Sequence, residues 1–445
     1  MSQYEDTICA PATAPGTGAI GIIRMSGPRA LEICDRVVSF RSGNAVTSPG
    51  YRLKYAELKD GDELLDEGLV AVFRAPNSFT GEDGVELYLH SSPYIMSRAL
   101  ELLCSSGARL AEPGEFTRRA FTAGKMDLAQ AEAVADVICS SSRAEHKVAM
   151  CQLRGGYSLE LRGLREKLLE LSALLELELD FSEEEVEFAD RTKLLETVSD
   201  ALRRCRCLAD SFKAGNALKN GVPVVIAGAP NSGKSTLLNA LLGDDRAIVS
   251  DIPGTTRDTI EETVVIDGIR FRIIDTAGLR ESTDEIERKG IERTLRSVEN
   301  ASIVILLRDG TASDSRAQDV PSGAKMFEVW NKSDSGLFHC PDGALRISAR
   351  TGEGLDTLRN LLAEEARAAG IGSAELLVTN ARHAEALRLA ADALEEVRDS
   401  LSRGVPGDLV AESLRSALAH LGAITGEISS EDVLGEIFGR FCIGK

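Results

Sequence analysis

The segment GAPNSGKS, from Gly228 to Ser235, has the composition and spacing of a phosphate-binding loop. Its glycines allow successive backbone N–H groups to converge on phosphate oxygens, and Lys234 is placed to reach the β- and γ-phosphates of a nucleotide. The hydroxyl of Ser235 is expected to bind Mg²⁺. An apolar run, VPVVIAG, precedes the loop and a helical run, TLLNALLG, follows it, as the motif requires. The segment therefore predicts a site for a nucleoside triphosphate and Mg²⁺.

Four more motifs follow in the order that a GTP-hydrolysing domain needs. GTTRD at 254–258 has the position of a switch loop whose threonine binds Mg²⁺, and DTAG at 275–278 has the position of the segment that meets Mg²⁺ and the γ-phosphate. NKSD at 331–334 ends an apolar run, and SAR follows at 348–350. A carboxylate in NKSD can accept hydrogen bonds from guanine N1–H and the exocyclic amine, whereas adenine offers neither donor. The predicted nucleotide is therefore GTP.

The motifs give a set of predicted ligands and one departure from the Ras-like pattern. The residues predicted to bind GTP are Asn231, Ser232, Gly233, Lys234, Ser235, Thr236, Thr255, Thr256, Asp275, Gly278, Asn331, Lys332, Asp334, Ser348 and Ala349. The predicted Mg²⁺ ligands are Ser235 and Thr256. Leu279 stands where Ras-like proteins have a glutamine that orients water, and its side chain cannot form a hydrogen bond. Another group must therefore orient the attacking water.

The elements that must position these motifs form three kinds of pattern along the chain. Apolar strand-like runs alternate with helical stretches from Val222 to Trp330, which is typical of a doubly wound parallel sheet. Earlier short apolar runs separated by Gly, Pro and Asp indicate an α+β domain, and leucines at helical spacing from Leu159 to Leu179 indicate a helical bundle. We predict a multidomain α/β and α protein with an α+β domain at 1–120, a helical domain in two segments, 121–215 and 376–445, and a G domain inserted at 216–375.

Composition limits the classes of protein and of partner. The chain has 445 residues and a net charge of −19, which argues against a surface that binds nucleic acid everywhere but does not exclude a local basic site. No long apolar run and no signal-peptide pattern occurs, so we expect a cytoplasmic protein without a membrane span. The nine cysteines form no CxxC pair and are expected to be reduced thiols.

Motifs outside the G domain resemble those of the MnmE or TrmE family of tRNA-modification GTPases, over essentially the whole chain. They are TICAPATAPGTGAIGIIRMSG near the start, PNSFTGEDGVELYLH at 76–90, EPGEFTRRAFTAGKMDLAQAEAVADVI at 112–138, and the terminal FCIGK. The resemblance implies an N-terminal domain similar to tetrahydrofolate-binding domains, which dimerises, and G domains that meet when GTP binds. It also implies installation of a carboxymethylaminomethyl or aminomethyl group on C5 of the wobble uridine of certain tRNAs. The expected partner is an FAD-dependent protein of the MnmG or GidA type.

The resemblance also assigns cofactors and further residues. It implies a K⁺ ion beside the phosphates and a 5-formyl- or methylene-tetrahydrofolate as carbon donor. The K⁺ ligands would be Asn231, Ser250, Ile252 and Thr255, the catalytic residues Arg280 and Glu287, and the folate-binding residues Arg24, Glu86 and Lys125. Structural roles remain open: Asn231 can order its own loop, Glu287 can be a solvated helix residue, and the folate candidates can form surface salt bridges or capping contacts.

Cys442, in the terminal FCIGK, is the third candidate catalytic residue. Nearby positive charge favours its thiolate, which could attack C6 of uridine and make C5 nucleophilic, but Cys442 can equally be a small buried residue that anchors the terminus. Two rival functions remain open as well. One is a ribosome-assembly GTPase, which shares the G motifs, and the other is a GTP-switched scaffold without chemistry on RNA.

Overall fold

The computed structural model describes residues 4–180, 191–229, 231–243, 261–275, 301–311, 324–371, 376–428, 430–439, 441 and 443–444. It divides into two compact units, one of Met1–Ala135 with Gly422–Lys445 and the other of Asp136–Leu421. The predicted boundaries at 120, 215 and 375 remain predictions. No described helix is long and apolar enough to cross a membrane.

The described strands and helices are as follows. The strands are β1 Ile8–Pro11, β2 Gly18–Ser26, β3 Val38–Phe40, β4 Arg52–Asp60, β5 Glu63–Phe73, β6 Gly84–Ser91, β7 Arg109–Leu110, β8 Val222–Gly228, β9 Glu261–Ile266, β10 Ile269–Asp275, β11 Ile303–Asp309, β12 Lys325–Asn331 and β13 Leu345–Arg346. The helices are α1 Ala30–Val37, α2 Pro93–Ser105, α3 Glu115–Thr122, α4 Leu128–Cys139, α5 Arg143–Leu153, α6 Gly156–Asp180, α7 Arg191–Asp210, α8 Phe212–Asn220, α9 Lys234–Leu242, α10 Leu355–Ala368, α11 Ala381–Arg403, α12 Gly407–Thr425 and α13 Glu431–Gly439.

The first unit contains a seven-stranded sheet in the order β3-β4-β5-β6-β2-β1-β7. Ile23 and Met25 alternate with more exposed residues along β2, so they face the same side of the sheet. On that side they pack with the buried residues of α1 and α2, including Ile33 and Leu103. The α+β domain predicted from the sequence is therefore confirmed, with α1 and α2 over one face of a mostly antiparallel sheet and Phe116 of α3 packed with Ile8 and Ala10 on the other face.

The second unit contains a six-stranded sheet in the order β13-β12-β11-β8-β10-β9. Neighbouring strands are parallel from β13 to β10, whereas β9 is antiparallel to β10. The prediction of a parallel sheet thus needs this one qualification. Its cause is the Asp267-Gly268 pair between β9 and β10, because both residues have positive φ, 52° and 78°, as a tight hairpin turn requires.

Two helices of the second unit hold this sheet where the chain enters and leaves it. Val148 of α5 and Leu218 of α8 share one buried core with the sheet residue Phe271. The amide of Gln152 on α5 donates a hydrogen bond of 2.9 Å to the carbonyl oxygen of Leu377, in the segment where the chain returns from the sheet to the helices. A Cβ at Gly215 of α8 would lie only 2.1 Å from the carbonyl oxygen of Val378. The outgoing helix and the returning chain are therefore in direct backbone contact.

Candidate functional site

The phosphate-binding loop joins the end of β8 to the start of α9, which confirms the strand-to-helix context. Gly228 and Gly233 have φ of 152° and 97°. A Cβ at Gly228 would lie 2.3 Å from the carbonyl oxygen of Leu307, and a Cβ at Gly233 would lie 2.3 Å from Nδ2 of Asn331. Conformation and space both exclude a side chain at these positions, so glycine lets the loop approach its neighbours closely.

Lys234 lies at the start of α9 and is buried. Its Nζ donates hydrogen bonds to the carbonyl oxygens of Gly228, at 3.0 Å, and Ala229, at 2.9 Å. Ser235 and Thr236 follow on the first turn of the helix, and both are exposed. Unpaired N–H groups at a helix N-terminus attract anions, and an exposed hydroxyl there fits a Mg²⁺ ligand. The described part of the loop therefore suits phosphate and its metal.

Asn331, at the end of β12, connects the phosphate loop to the loop that carries Ser348 and Ala349. Its Nδ2 donates to the carbonyl oxygen of Ser232 at 2.8 Å, and its Oδ1 accepts from the backbone N–H of Ala349 at 2.9 Å. The side chain is almost entirely buried, with 3% of the residue exposed. Asn331 thus uses both halves of its amide to fix the spacing of two nucleotide-binding loops.

Asp334 and Ser348 form the remainder of the base-recognition region. The hydroxyl of Ser348 donates to Oδ1 of Asp334 at 2.8 Å and accepts from the N–H of Thr351 at 3.1 Å. Asp334 is exposed, so its carboxylate can meet a ligand while Ser348 orients it. This geometry suits the predicted reading of guanine N1–H and the exocyclic amine.

An ion pair that the sequence analysis missed lies beside this region. Lys332 has φ of 72°, and its Nζ donates to Oδ2 of Asp309 at 2.6 Å. The other oxygen of Asp309 accepts from the N–H and the hydroxyl of Thr311. Burial raises the pKa of Asp309, but the hydrogen bonds from Lys332 and Thr311 outweigh it and lower the pKa overall. The available signal was the position of Asp309 at the carboxyl end of β11, the sheet edge where parallel α/β folds bind ligands.

Several predicted site residues lie outside the described residues, so their placement remains a prediction. They are Ser250, Ile252, Thr255, Thr256, Gly278, Arg280, Glu287 and Cys442, together with the side chain of Asp275, of which only the backbone is described. Asn231 is described and exposed, with φ of 62°, on the phosphate loop.

The three candidate folate-binding residues lie in the first unit and all have protein partners. Arg24 and Glu86 are opposite each other on β2 and β6 and form an ion pair of 2.9 Å. The Arg24 guanidinium also lies 5.5 Å from the ring centre of Phe79 and 5.8 Å from that of Phe116. Lys125 donates to the carbonyl oxygen of Pro76 at 2.8 Å. A half-buried cation between aromatic rings suits an anionic or aromatic ligand, and the assignment to folate stays a prediction.

A buried charge network supports the segment next to Arg24. Arg119 on α3 is completely buried and donates to Glu115 at 2.9 Å and to Glu82 at 3.3 Å. Glu82 in turn accepts from the hydroxyl of Ser26 at 2.8 Å. Burial raises the pKa of Glu115, but hydrogen bonds from Arg109, the backbone and Arg119 lower it overall. The network therefore joins α3 to β2 and to the segment containing Phe79.

Known proteins are similar to this chain along its whole length. Residues 128–442 match the family model described as the MnmE helical domain, and residues 7–125 match the one described as the GTP-binding protein TrmE N-terminus. The tRNA modification GTPase MnmE of Cytophaga hutchinsonii is 48% identical over 457 residues, covering 100% of this chain and 99% of the relative. That of Porphyromonas gingivalis is 48% identical over 470 residues, with the same coverage. A solved structure of a tyrosine-to-alanine variant of Era from Aquifex aeolicus, bound to GDP and aluminium fluoride, is 26% identical, with a TM-score of 0.26, over 38% of this chain and 65% of its own. The resemblance found in the motifs is confirmed over the full length, and the chain belongs to the MnmE family of tRNA modification GTPases.

Proposed function

We propose that this GTPase is stimulated by K⁺ and, with an FAD-dependent partner of the MnmG or GidA type, installs a carboxymethylaminomethyl or aminomethyl group on C5 of the wobble uridine of certain tRNAs. The observation that carries the proposal is the match to MnmE proteins, at 48% identity over 100% of this chain and 99% of each relative. Deleting the gene should remove this modification from the affected tRNAs, as read by mass spectrometry of their wobble nucleosides. Unchanged wobble uridines would leave the chain as a GTP-switched scaffold or a ribosome-assembly GTPase.

The nucleotide part of the proposal rests on the described loops. GTP would occupy the space between the phosphate loop, held by Asn331, and the base-recognition region of Asp334 and Ser348. Ser235 and Thr256 would hold Mg²⁺, which supplies charge neutralisation at the phosphates. Arg280 and Glu287 are the proposed catalytic residues, with Glu287 orienting the water in place of the glutamine that Leu279 replaces. The Glu287→Ala variant should bind GTP normally and hydrolyse it slowly.

The proposed K⁺ site rests on Asn231, whose exposed side chain projects from a phosphate-loop residue in a left-handed conformation. Its side-chain oxygen would be a K⁺ ligand, with Ser250, Ile252 and Thr255 as the others. K⁺ would supply the positive charge that an arginine finger supplies elsewhere, an effect of about a thousandfold in related systems. GTP hydrolysis should be faster in KCl than in NaCl, and Asn231→Ala should remove this difference while nucleotide affinity stays nearly unchanged. Equal rates in the two salts would refute the K⁺ site.

The proposed carbon chemistry involves Arg24, Glu86, Lys125 and Cys442. The Arg24–Glu86 pair and its aromatic neighbours would bind a 5-formyl- or methylene-tetrahydrofolate, which supplies the carbon. Arg24→Ala should therefore weaken binding of 5-formyltetrahydrofolate by the full-length protein without changing GTP affinity. Cys442→Ser should leave folding and GTP hydrolysis near wild type and abolish the tRNA modification. Fully modified wobble uridine in that variant would give Cys442 a structural role only.

We further propose a cytoplasmic homodimer that forms through the N-terminal domains, with the G domains meeting when GTP binds. Apolar residues exposed on the sheet of the first unit support this, since Ile20 is 62% and Leu69 40% exposed. Light scattering of the full chain should give twice the monomer mass without nucleotide. A Leu69→Asp variant should lower that mass.

A further inference from the structure

A basic segment stands out in this acidic chain. Between Asp35 and Glu57 the sequence contains Arg36, Arg41, Arg52 and Lys54 and no acidic residue, in a protein whose net charge is −19. Nucleic acid is repelled by most of such a surface and must be bound where positive charge is concentrated. The structure shows whether these cations lie close together and whether carboxylates of the protein neutralise them.

The end of β3 and the start of β4 gather these side chains at the edge of the first sheet, in what we call the edge patch: Arg41, Tyr51, Arg52, Lys54 and Tyr55. The Arg41 guanidinium lies 4.3 Å from the ring centre of Tyr55. Lys54 lies 5.6 Å from the ring centre of Phe40. Strand β3 pairs only with the second half of β4, so the patch lies beyond the end of the neighbouring strand. Two cationic side chains thus lie against aromatic rings at this edge.

Two of the cations have no carboxylate partner. Among the described residues, Arg41 and Arg52 form no ion pair, and both are exposed. The arginines around a groove between α7 and α11 behave differently: Arg203 pairs with Asp200, and Arg206 and Arg398 both pair with Glu395. Positive charge is therefore neutralised within the groove. At the edge patch Glu67 hydrogen-bonds to Tyr55 and Glu57 also lies near that ring, but neither carboxylate forms an ion pair with Arg41 or Arg52 among the described residues.

The backbone around the edge patch is fixed by hydrogen bonds. Asp35 accepts from the N–H groups of Ala45 and Val46, at 2.6 and 3.0 Å. Arg74 donates to the carbonyl oxygens of Val46 and Ser48, and Lys54 donates to that of Asn44. The loop that precedes β4 is thus ordered before any ligand binds, which lowers the entropic cost of binding.

Tyr51 adds a surface suited to a nucleobase. Its side chain is on the outside of the patch, with 69% of the residue exposed, and its ring meets Phe73 edge to face at 5.8 Å. Its φ is 59°, a left-handed conformation that is uncommon for an aromatic residue. The ring thus contacts Phe73 while most of its surface is open to solvent. Unpaired RNA bases stack on such rings.

We propose that the edge patch binds the tRNA substrate, with Arg41 and Arg52 contacting backbone phosphates of a single-stranded loop and Tyr51 stacking on one of its unpaired bases. The family role in tRNA modification supplies the class of ligand, and the patch supplies its place on the chain. The available cations match the phosphates, and the exposed ring distinguishes RNA from a base-free polyanion.

The test measures binding of fluorescently labelled, unmodified tRNA to the full-length protein by anisotropy, over a series of KCl concentrations. The double variant Arg41→Gln/Arg52→Gln should bind about tenfold more weakly at 0.1 M salt, and the slope of log affinity against log salt should fall by about 0.7 for each lost phosphate contact. A matched control, Arg203→Gln/Arg206→Gln, removes the same charge from the groove between α7 and α11. It should bind tRNA like wild type. Equal losses in the two double variants, or wild-type affinity and slope in the patch variant, would overturn the proposal.

Tyr51→Asn tests the stacking step separately. Asparagine accepts the left-handed backbone, so the ring is removed with little strain. The variant should bind tRNA about fivefold or more weakly with an unchanged salt slope, and should bind inorganic polyphosphate like wild type. Unchanged tRNA affinity would refute stacking on Tyr51. Circular dichroism and thermal unfolding of each variant check that the first unit, which carries the patch, is folded, because GTP hydrolysis reports on the second unit only. Wobble modification in a deletion strain is read independently, so failure of the patch and failure of the proposed function give different results.

Discussion

The contact between the phosphate loop and Asn331 can be tested by changing both sides of it. Gly233→Ala places a Cβ 2.3 Å from Nδ2 of Asn331 and forces a side chain onto a residue with φ of 97°. The left-handed backbone costs about 1–2 kcal/mol, and displacing the amide removes two hydrogen bonds worth about 1 kcal/mol each. The total of about 3–4 kcal/mol corresponds to a loss of GDP affinity of roughly a hundredfold or more.

Asn331→Ala removes the same two hydrogen bonds directly and should weaken GDP binding by about thirtyfold, from about 2 kcal/mol. In that background the Cβ at position 233 no longer meets an amide, so Gly233→Ala should cost only the backbone strain of about 1–2 kcal/mol. The double variant should therefore bind more tightly than the sum of the single effects predicts, by about 2 kcal/mol.

Titration of a fluorescent GDP analogue against the three variants and wild type gives the four affinities of the cycle. Circular dichroism at each step checks that the variants are folded. Binding is the better readout, because a chain of several domains does not unfold in one step. Additivity within about 0.5 kcal/mol would refute the conclusion that Gly233 is glycine because of Asn331.

Four further predictions concern other contacts. Asp334→Asn should shift preference from GTP towards xanthosine triphosphate, since asparagine can donate to the 2-oxo group, and equal GTP affinity in variant and wild type would exclude Asp334 as the base reader. Asp309→Asn should weaken GDP binding several-fold, because about 1 kcal/mol is lost at the Lys332 ion pair. Asp309→Glu keeps the negative charge and should bind GDP more tightly than Asp309→Asn. Unchanged GDP affinity of Asp309→Asn in fluorescent-GDP titration would exclude a positioning role for Asp309. Arg119→Met should destabilise the first unit by about 2–3 kcal/mol, because Glu82 and Glu115 lose the hydrogen bonds and charge of a buried guanidinium while Glu115 keeps Arg109 and Glu82 keeps Ser26, and denaturant titration should show it. The pKa of Glu115 is lowered by folding, so the stabilisation from its ionised form is present at neutral pH and should be lost as pH falls through that lowered pKa.

The sequence predicted the structure best where one short segment contains all the groups that bind one part of the ligand. GAPNSGKS carries its glycines, its lysine and its hydroxyl in consecutive positions, so its strand-to-helix context followed from the order of residues. The hairpin between β9 and β10 had a local signal too, in Asp267-Gly268, but strands that alternate with helices favour a parallel sheet and that inference took precedence.

Contacts between distant segments could not be predicted in the same way. The pairing of Lys332 with Asp309 depends on β11 lying beside β12, which the residue types of each segment do not specify. The pairing of Arg24 with Glu86 depends likewise on the register of β2 against β6. Lys332, Arg24 and Glu86 were identified as candidates for binding and Asp309 was not, and the partner of each in the folded chain is set by strand order and register.

The close approach of Gly215 to Val378 has a mechanical consequence. The polypeptide leaves the helices and returns to them at adjacent points. The nucleotide-binding part is therefore joined to the helices by two neighbouring connections. A domain inserted in this way can be gained or lost in evolution without changing the path of the rest of the chain, because a few residues would connect the two points of attachment. Because α5 and α8 also share a buried core with the sheet, a movement of the nucleotide-binding part would be transmitted to these helices through packed side chains as well as at Gln152 and Gly215.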